Sequence, residues 1–260
     1  MNDSATSWAD GPLLALDLET TGTDTATDRI VTATLISVTP GNPANPTSWL
    51  ADPGIEIPAE STEVHGIDTE HARTHGRPAG TVVAEITEAL AAQWSPTTPL
   101  IAFNASFDLS LLDAESRRHL GTALPLGGPV IDPLCMDRHV DRYRKGKRTL
   151  AALCEHHRVK AEEAHTSAGD AIAAARLAWR LAKSYPEQLG LVEPRVLHEQ
   201  QVEWYRAQTR SFAGYLDKQA GRTDDAAEAE RLRTRAAQVR VDAEGWPLRQ
   251  QELPTTNAGV

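Results

Sequence analysis

Two cysteines in 260 residues, Cys135 and Cys154, are too few for a disulfide framework and are not spaced as a zinc-ligand pair. Runs of membrane-spanning length are absent, and the opening MNDSATSWADG carries no apolar core of the signal-peptide type. A reduced, cytoplasmic protein without a membrane partner is the expectation. Basic charge is short as well. The 26 Lys and Arg against 36 Asp and Glu leave a formal net charge of −10, which argues against coating nucleic acid by charge alone. There is no P-loop, no G-x-G-x-x-G after the first apolar strand and no G-x-S-x-G elbow, so three common catalytic frameworks are excluded. Internal repeats are absent too. The remainder, 40% hydrophobic and 24% charged residues, is ordinary for a globular chain long enough for one sizeable α/β domain with an appendage, or two small domains.

Five segments read as strands. LLALDLETTG (13–22) comes first, then the β-branched DRIVTATLISV (28–38) and SWLADPG (48–54), closed by a Pro-Gly turn. PLIAFN (99–104) and PVIDP (129–133) follow. Helices are expected at 82–94, where Val82, Ile86, Ala89, Leu90 and Trp94 share a face, at 105–120, from 134, at 149–157, and at 167–185. Early strands joined by short connections, then strands alternating with helices, predict a mixed sheet flanked by helices. A tail at 1–11, a main domain at 12–185, a polar helical extension at 186–242 and an irregular tail at 243–260 complete the expected organisation. In the extension Val202, Tyr205, Thr209, Phe212 and Leu216 recur at intervals of three and four.

The first strand contains its own contradiction. Asp17 and Glu19 alternate with Leu16 and Leu18, so both acids point to one face of an otherwise apolar element. Like charges placed so need a positive partner. Asp108 falls in the first turn of the helix after the fourth strand, where the helix dipole alone accounts for an acid. Asp170 closes an S-x-x-D helix start, Ser167 to Asp170, which reads equally well as a capping box. His165 precedes it by five residues. Singly, none of these rises above background. Together they make four carboxylates and one imidazole, the set that two-metal phosphoryl chemistry requires.

The collinear segments ALDLETTG, VHGI (64–67), IAFNASFDLSLL (101–112), VIDPLCMDR (130–138), TLAALCEHHRV (149–159) and AHTSAGDAIAAARL (164–177) resemble the DEDDh 3′→5′ exonucleases. That group includes the proofreading ε subunit of bacterial DNA polymerase III, RNase T and oligoribonuclease. The resemblance implies an RNase H-like sheet of five strands, with the second antiparallel to its neighbours, and a C-terminal helical extension beyond the minimal family. It implies that Asp17, Glu19, Asp108 and Asp170 hold two divalent cations, Mg²⁺ or Mn²⁺, and that His165 takes the proton of the attacking water. Release of nucleoside 5′-monophosphates from nucleic acid with a free 3′ end would follow, with single strands and DNA favoured. Thr20, Thr21, His65, Asn104 and Phe107 match positions near the terminal nucleotide. The basic run Arg142, Arg144, Lys145, Lys147 and Arg148 is either a solvated loop or a phosphate-tracking patch; on the resemblance, Arg144, Lys145 and Lys147 would contact the substrate backbone.

Two rival readings stand beside it: an RNA-trimming enzyme with the same centre, and a catalytically silent, polymerase-associated nucleic-acid-binding module. The intact five-residue set argues against the second. The 202–216 stripe could pack on its own domain, form a homodimer or meet a polymerase.

Overall fold

The computed structural model describes residues 6–161 and 166–249. The sheet is built from β1 (Leu13–Thr20), β2 (Ile30–Val38), β3 (Asn45–Asp52), β4 (Arg77–Pro78), β5 (Leu100–Ile101) and β6 (Val130–Ile131), in the order β4-β3-β2-β1-β5-β6. Strand β2 runs antiparallel to both β1 and β3, whereas β5 and β6 continue parallel to β1. The sheet has six strands where the sequence predicts five. The sixth is the two-residue β4, whose Arg77 and Pro78 pair with Ala51 and Asp52 at the outer edge. A Pro in so short a segment hides it from any periodicity argument.

The helices are α1 (Ala59–His65), α2 (Thr69–His75), α3 (Ala79–Gln93), α4 (Ala105–Leu120), α5 (Pro133–Val140), α6 (Leu150–His156), α7 (Ser167–Ser184), α8 (Pro194–Ala220) and α9 (Ala226–Asp242). Helices α1 and α2 occupy a stretch that the sequence leaves as a connection; each spans only seven residues, too short for an apolar period to register.

The sheet is covered on both faces. Leu14, Leu16 and Leu18 of β1 join one core with Val82, Ile86, Leu109 and Leu112 of α3 and α4. Leu13 and Ala15 face the other core, where α7 supplies Ala171, Ala174, Ala175 and Ala178. Alanines at those positions let α7 lie close against the sheet. Asp17 and Glu19 continue the Leu13–Ala15 face, so the acids emerge where the α7 side of the core ends. In the extension, Val202 and Tyr205 of α8 pack into the first core, and Leu216 packs with Ala213, Ala236 and Val239 between α8 and α9. Phe212 departs from the predicted stripe and is 48% exposed. Trp8 and Trp246, near the two ends of the described chain, are both buried. Among the described residues no helix is long and apolar enough to cross a membrane.

Candidate functional site

Strand β1 outruns its parallel neighbour. Pairing with β5 is confined to Leu14–Leu100 and Ala15–Ile101, so beyond Ala15 one edge of β1 must satisfy its backbone groups elsewhere. Helix α4 does this. The Asp108 Oδ1 accepts the Leu18 N–H at 3.1 Å, pinning the first turn of α4 to the peptide between Asp17 and Glu19. The start of α4 is fixed in turn by Asp132, whose carboxylate accepts the N–H of Asn104 (3.0 Å) and Ala105 (3.1 Å) and also caps α5 through Leu134. Asn104 sits in the left-handed region at φ 60° and its side chain makes no cap bond; Asp132 satisfies the start of α4 instead.

On the opposite side of β1, Asp17 and Glu19 are in register with Thr34 and Thr32 of β2. The Ser167 hydroxyl lies 2.8 Å from that of Thr34 and 3.3 Å from that of Thr32, and Thr34 also meets Ser48 at 2.9 Å. These contacts seat the first turn of α7 on the acid face of the sheet. Asp170 lies three residues further along, on the same side of the helix as Ser167. The N-cap is Thr166, whose hydroxyl accepts the Gly169 N–H at 3.1 Å. Ser167 is therefore not the cap that its S-x-x-D spacing predicts: its hydroxyl is buried against β2, and the residue before it takes that role.

Asp17, Glu19 and Asp170 each present a carboxylate oxygen within 4.8 Å of the others. The arrangement is electrostatically costly for the chain alone. Burial, followed by the charges of Asp108, Glu19 and Asp170, pushes the Asp17 carboxyl well above its ordinary range. Burial and then Asp170 raise Glu19 to about 7. Asp108 is raised to about 8, chiefly by burial, although the backbone N–H bonds from its own residue and Leu18 work in the other direction. An all-oxygen, anionic donor set of this kind fits hard divalent cations such as Mg²⁺ or Mn²⁺.

The remaining predicted residues fall in three groups. Thr20 and Thr21 close β1: the Thr20 hydroxyl donates to the Gly22 carbonyl at 2.7 Å, and the buried Thr21 hydroxyl donates to Asp28 at 2.9 Å. Gly22 makes room for Asp28: a Cβ there would come within 2.5 Å of its carboxylate, which would have to shift. His65 ends α1 beside Thr20; burial lowers its pKa, partly offset by the Thr20 backbone. Phe107, in the first turn of α4, is half-buried against the first core. In the basic run Lys145 and Lys147 are exposed, but Arg144 turns inward, 3.7 Å from Asp137 and 3.9 Å from Asp141. Arg148 also pairs with Asp137. His165 lies outside the described residues. Sequence reasoning missed Thr32, Thr34 and Asp132; the alternating threonines of IVTATLISV were the only signal for the first two.

The exonuclease family profile matches residues 14–178. The chain belongs to the RNase T exonuclease family. This is the DEDDh group that the sequence motifs resemble. Among curated relatives in the family, the DNA polymerase III PolC-type of Streptococcus sanguinis (strain SK36) is 27% identical over 218 residues, covering 82% of this chain. That of Streptococcus agalactiae serotype III (strain NEM316) is 29% identical over 213 residues, covering 80%. The chain spans only 14% of the length of either relative. Among solved structures, Exonuclease I of E. coli in complex with a dT13 oligonucleotide superposes with a TM-score of 0.58 at 18% identity, over 68% of this chain and 42% of that one. Exonuclease I from Methylocaldum szegediense gives 0.57 at 20% identity, over 69% and 42%. These likenesses establish the exonuclease fold.

Proposed function

We propose that the protein is a metal-dependent 3′→5′ exonuclease that removes nucleotides one at a time from a free 3′ end, with single-stranded DNA as the favoured substrate. The observation that carries this reading is the convergence of Asp17, Glu19 and Asp170 on one point while Asp108 is locked to the same strand. Asp108 also anchors α4 to β1, but the convergence of Asp17, Glu19 and Asp170 serves no contact of the fold described above, and cations there would offset their repulsion. Asp17, Glu19, Asp108 and Asp170 are the residues to hold two divalent ions. Such ions supply Lewis-acid polarisation of the reacting phosphate and charge neutralisation at the departing 3′ oxygen.

The chain's own residues do the rest. The Leu18 N–H and the Asp132 bracket hold Asp108 in place, and the Ser167–Thr34 contact holds the start of α7 that carries Asp170. His165, five residues ahead of Asp170, accepts the proton of the attacking water. The strand end at Thr20 and Thr21, with His65, Asn104 and Phe107, shapes the seat for the terminal nucleotide. Among the described residues Arg142, Lys145 and Lys147 of the basic run have no carboxylate partner; Arg144 is engaged by Asp137 and Asp141, so of the three residues expected to track the backbone the two lysines remain. The polymerase-type and single-strand-nuclease relatives support DNA over RNA as the substrate.

The test uses 5′-labelled single-stranded DNA and RNA oligomers with Mg²⁺, Mn²⁺ or EDTA. A ladder of shortened products is expected with either metal and not with EDTA, faster on DNA. Asp17→Ala abolishes it, and His165→Ala lowers turnover by roughly 10²–10⁴-fold near neutral pH. A ladder that persists in Asp17→Ala, or in EDTA, sinks the reading.

A further inference from the structure

An open groove of about 490 Å³ lies between the end of α5 with its following loop and the middle of α8. It is not part of the acid site. Arg138, Arg142 and Tyr143 line one wall, and Trp204, Phe212 and Tyr215 the other. Tyr143 is 86% exposed, Tyr215 53% and Phe212 48%. Scattered aromatic side chains at a surface need no explanation. Here, however, four of them face one another across a single groove, in a chain with only 13 Phe, Tyr and Trp together (3, 4 and 6).

The rings are arranged as flat platforms. His139 and Trp204 stack with centroids 3.7 Å apart and planes 10° from parallel, and Phe212 and Tyr215 lie 6.3 Å apart at 15°. Cationic groups sit beside them. Arg142 lies over the Tyr143 ring at 5.6 Å. Neither Arg138 nor Arg142 is paired to a carboxylate among the described residues. The acids nearest this wall are already neutralised: Asp137 is held by Arg148, Arg144 and His157, and Asp141 by Arg144 and His156. The groove is thus locally cationic in a protein whose net charge is −10.

The groove is also tied to the acid site. The Tyr205 hydroxyl lies 3.2 Å from the hydroxyl of Ser106, two residues before Asp108, and Gln208 donates to the Cys135 carbonyl at 3.1 Å. Helix α8 therefore leaves the first turn of α4 at Tyr205 and lines the groove from Trp204 to Tyr215, a path of about 16 Å along the helix axis.

We propose that this groove binds the single-stranded part of a nucleic-acid substrate upstream of its reacting 3′ end. Bases stack on the exposed Phe212, Tyr215 and Tyr143 faces, with Trp204, already covered by His139, forming the floor between them, and phosphates meet Arg138 and Arg142. The proposal rests on the nuclease reading above and assigns a role to the helical extension. Stacking tolerates any base, so the groove selects strand length and single-strandedness rather than sequence.

Two measurements on the full chain test it. Binding of fluorescein-labelled dT20 is followed by anisotropy in EDTA, and hydrolysis of dT20 and of a dT trimer is compared in Mg²⁺. Phe212→Ser/Tyr215→Ser is expected to raise the Kd for dT20 about tenfold and to lower the 20-mer-to-trimer ratio of kcat/KM by a similar factor. Arg138→Gln/Arg142→Gln weakens binding and flattens its salt dependence. Trp179→Ser, which removes an exposed aromatic on α7, leaves both readouts as in the wild type. The groove is overturned if the Phe212/Tyr215 variant keeps the wild-type Kd and length preference, if Trp179→Ser loses as much, or if the substitutions change only the oligomeric state seen by light scattering. Loss of all hydrolysis by the wild type sinks the nuclease reading instead, and the anisotropy in EDTA still decides the groove.

Discussion

The acids around Asp137 and those at the end of β1 are treated by the chain in opposite ways. Asp137, in α5, has a fully buried side chain. Burial alone would raise its pKa, but the hydrogen bond from His157 at 2.8 Å and the charges of Arg148 and Arg144 outweigh burial and hold it below the ordinary carboxylate range. Every charge there is answered by a side chain that the sequence encodes. At the end of β1, Asp17, Glu19, Asp108 and Asp170 repel one another, and the resolved shifts run upward. Burial pushes the carboxyls upward in both clusters; in the first, cationic side chains outweigh it. The second arrangement, three carboxylates within 4.8 Å of one another, is one that could hold a metal ion.

The largest way to break this comparison is to remove the acid from each cluster in turn. Asp137→Ala strands Arg148, Arg144 and His157 around a buried void and is expected to cost about 3–5 kcal/mol, read as a lower midpoint in urea. Asp17→Asn, measured in EDTA, has the opposite sign: it removes a repelling charge that no side chain among the described residues compensates, and the midpoint holds or rises. Equal losses from both substitutions would mean that the acid site is an internally satisfied ion cluster like the other.

The contrast also explains what could be read from the sequence. Strands and helices were legible because each leaves a local mark, such as the alternation in LLALDLETTG, whereas the acids that the structure brings together, Asp17, Glu19 and Asp170, were legible only as a set. Asp132 was not legible as the bracket of α4 because its partners, Asn104 and Ala105, lie 28 and 27 residues away. Arg144 was read as a phosphate contact because a run of five cations looks solvent-facing until Asp137 is known to lie beneath it. Strand β4 and helices α1 and α2 were missed because two to seven residues cannot show a period.

A smaller effect comes from protons and metal. Glu19, near 7, and Asp108, near 8, have folded pKa values above those of an unfolded chain. The folded state then holds the extra protons, so the stability these two groups contribute in EDTA is lost as pH rises from about 4 to about 8, and Asp17, also raised, works in the same direction. Asp132, raised to about 6, contributes in the same direction. Asp137, with its lowered pKa, does the reverse: its contribution is present above the ordinary carboxylate range and is lost as pH falls below it. Thermal melts at pH 5, 6.5 and 8 should show the decline in EDTA, with a shallower slope in Glu19→Gln. Saturating Mg²⁺ adds about 2–3 kcal/mol at a hundred times its Kd and adds most at pH 8, where fewer protons compete. A metal effect independent of pH would place the ions elsewhere.

The smallest expected effect probes how the open cluster is held together. Ser167 is the first residue of α7, and its hydroxyl meets Thr34 and Thr32 on the acid face of the sheet. In Ser167→Ala the buried Thr34 hydroxyl keeps Ser48 at 2.9 Å and the half-buried Thr32 hydroxyl loses its contact with Ser167, so the cost to stability is about 1 kcal/mol. Asp170 loses part of its anchor without losing its helix, because the Thr166 cap remains. Metal-dependent turnover is therefore expected to fall more than stability does, by roughly tenfold, as for other groups that orient a metal ligand from behind, and restored by Ser167→Thr if that hydroxyl reaches Thr34. At the Asp137 cluster, a comparable loss of one hydrogen-bond partner, His157→Phe, should lower stability and leave turnover alone. The two substitutions together separate an acid held for the fold from an acid held for chemistry.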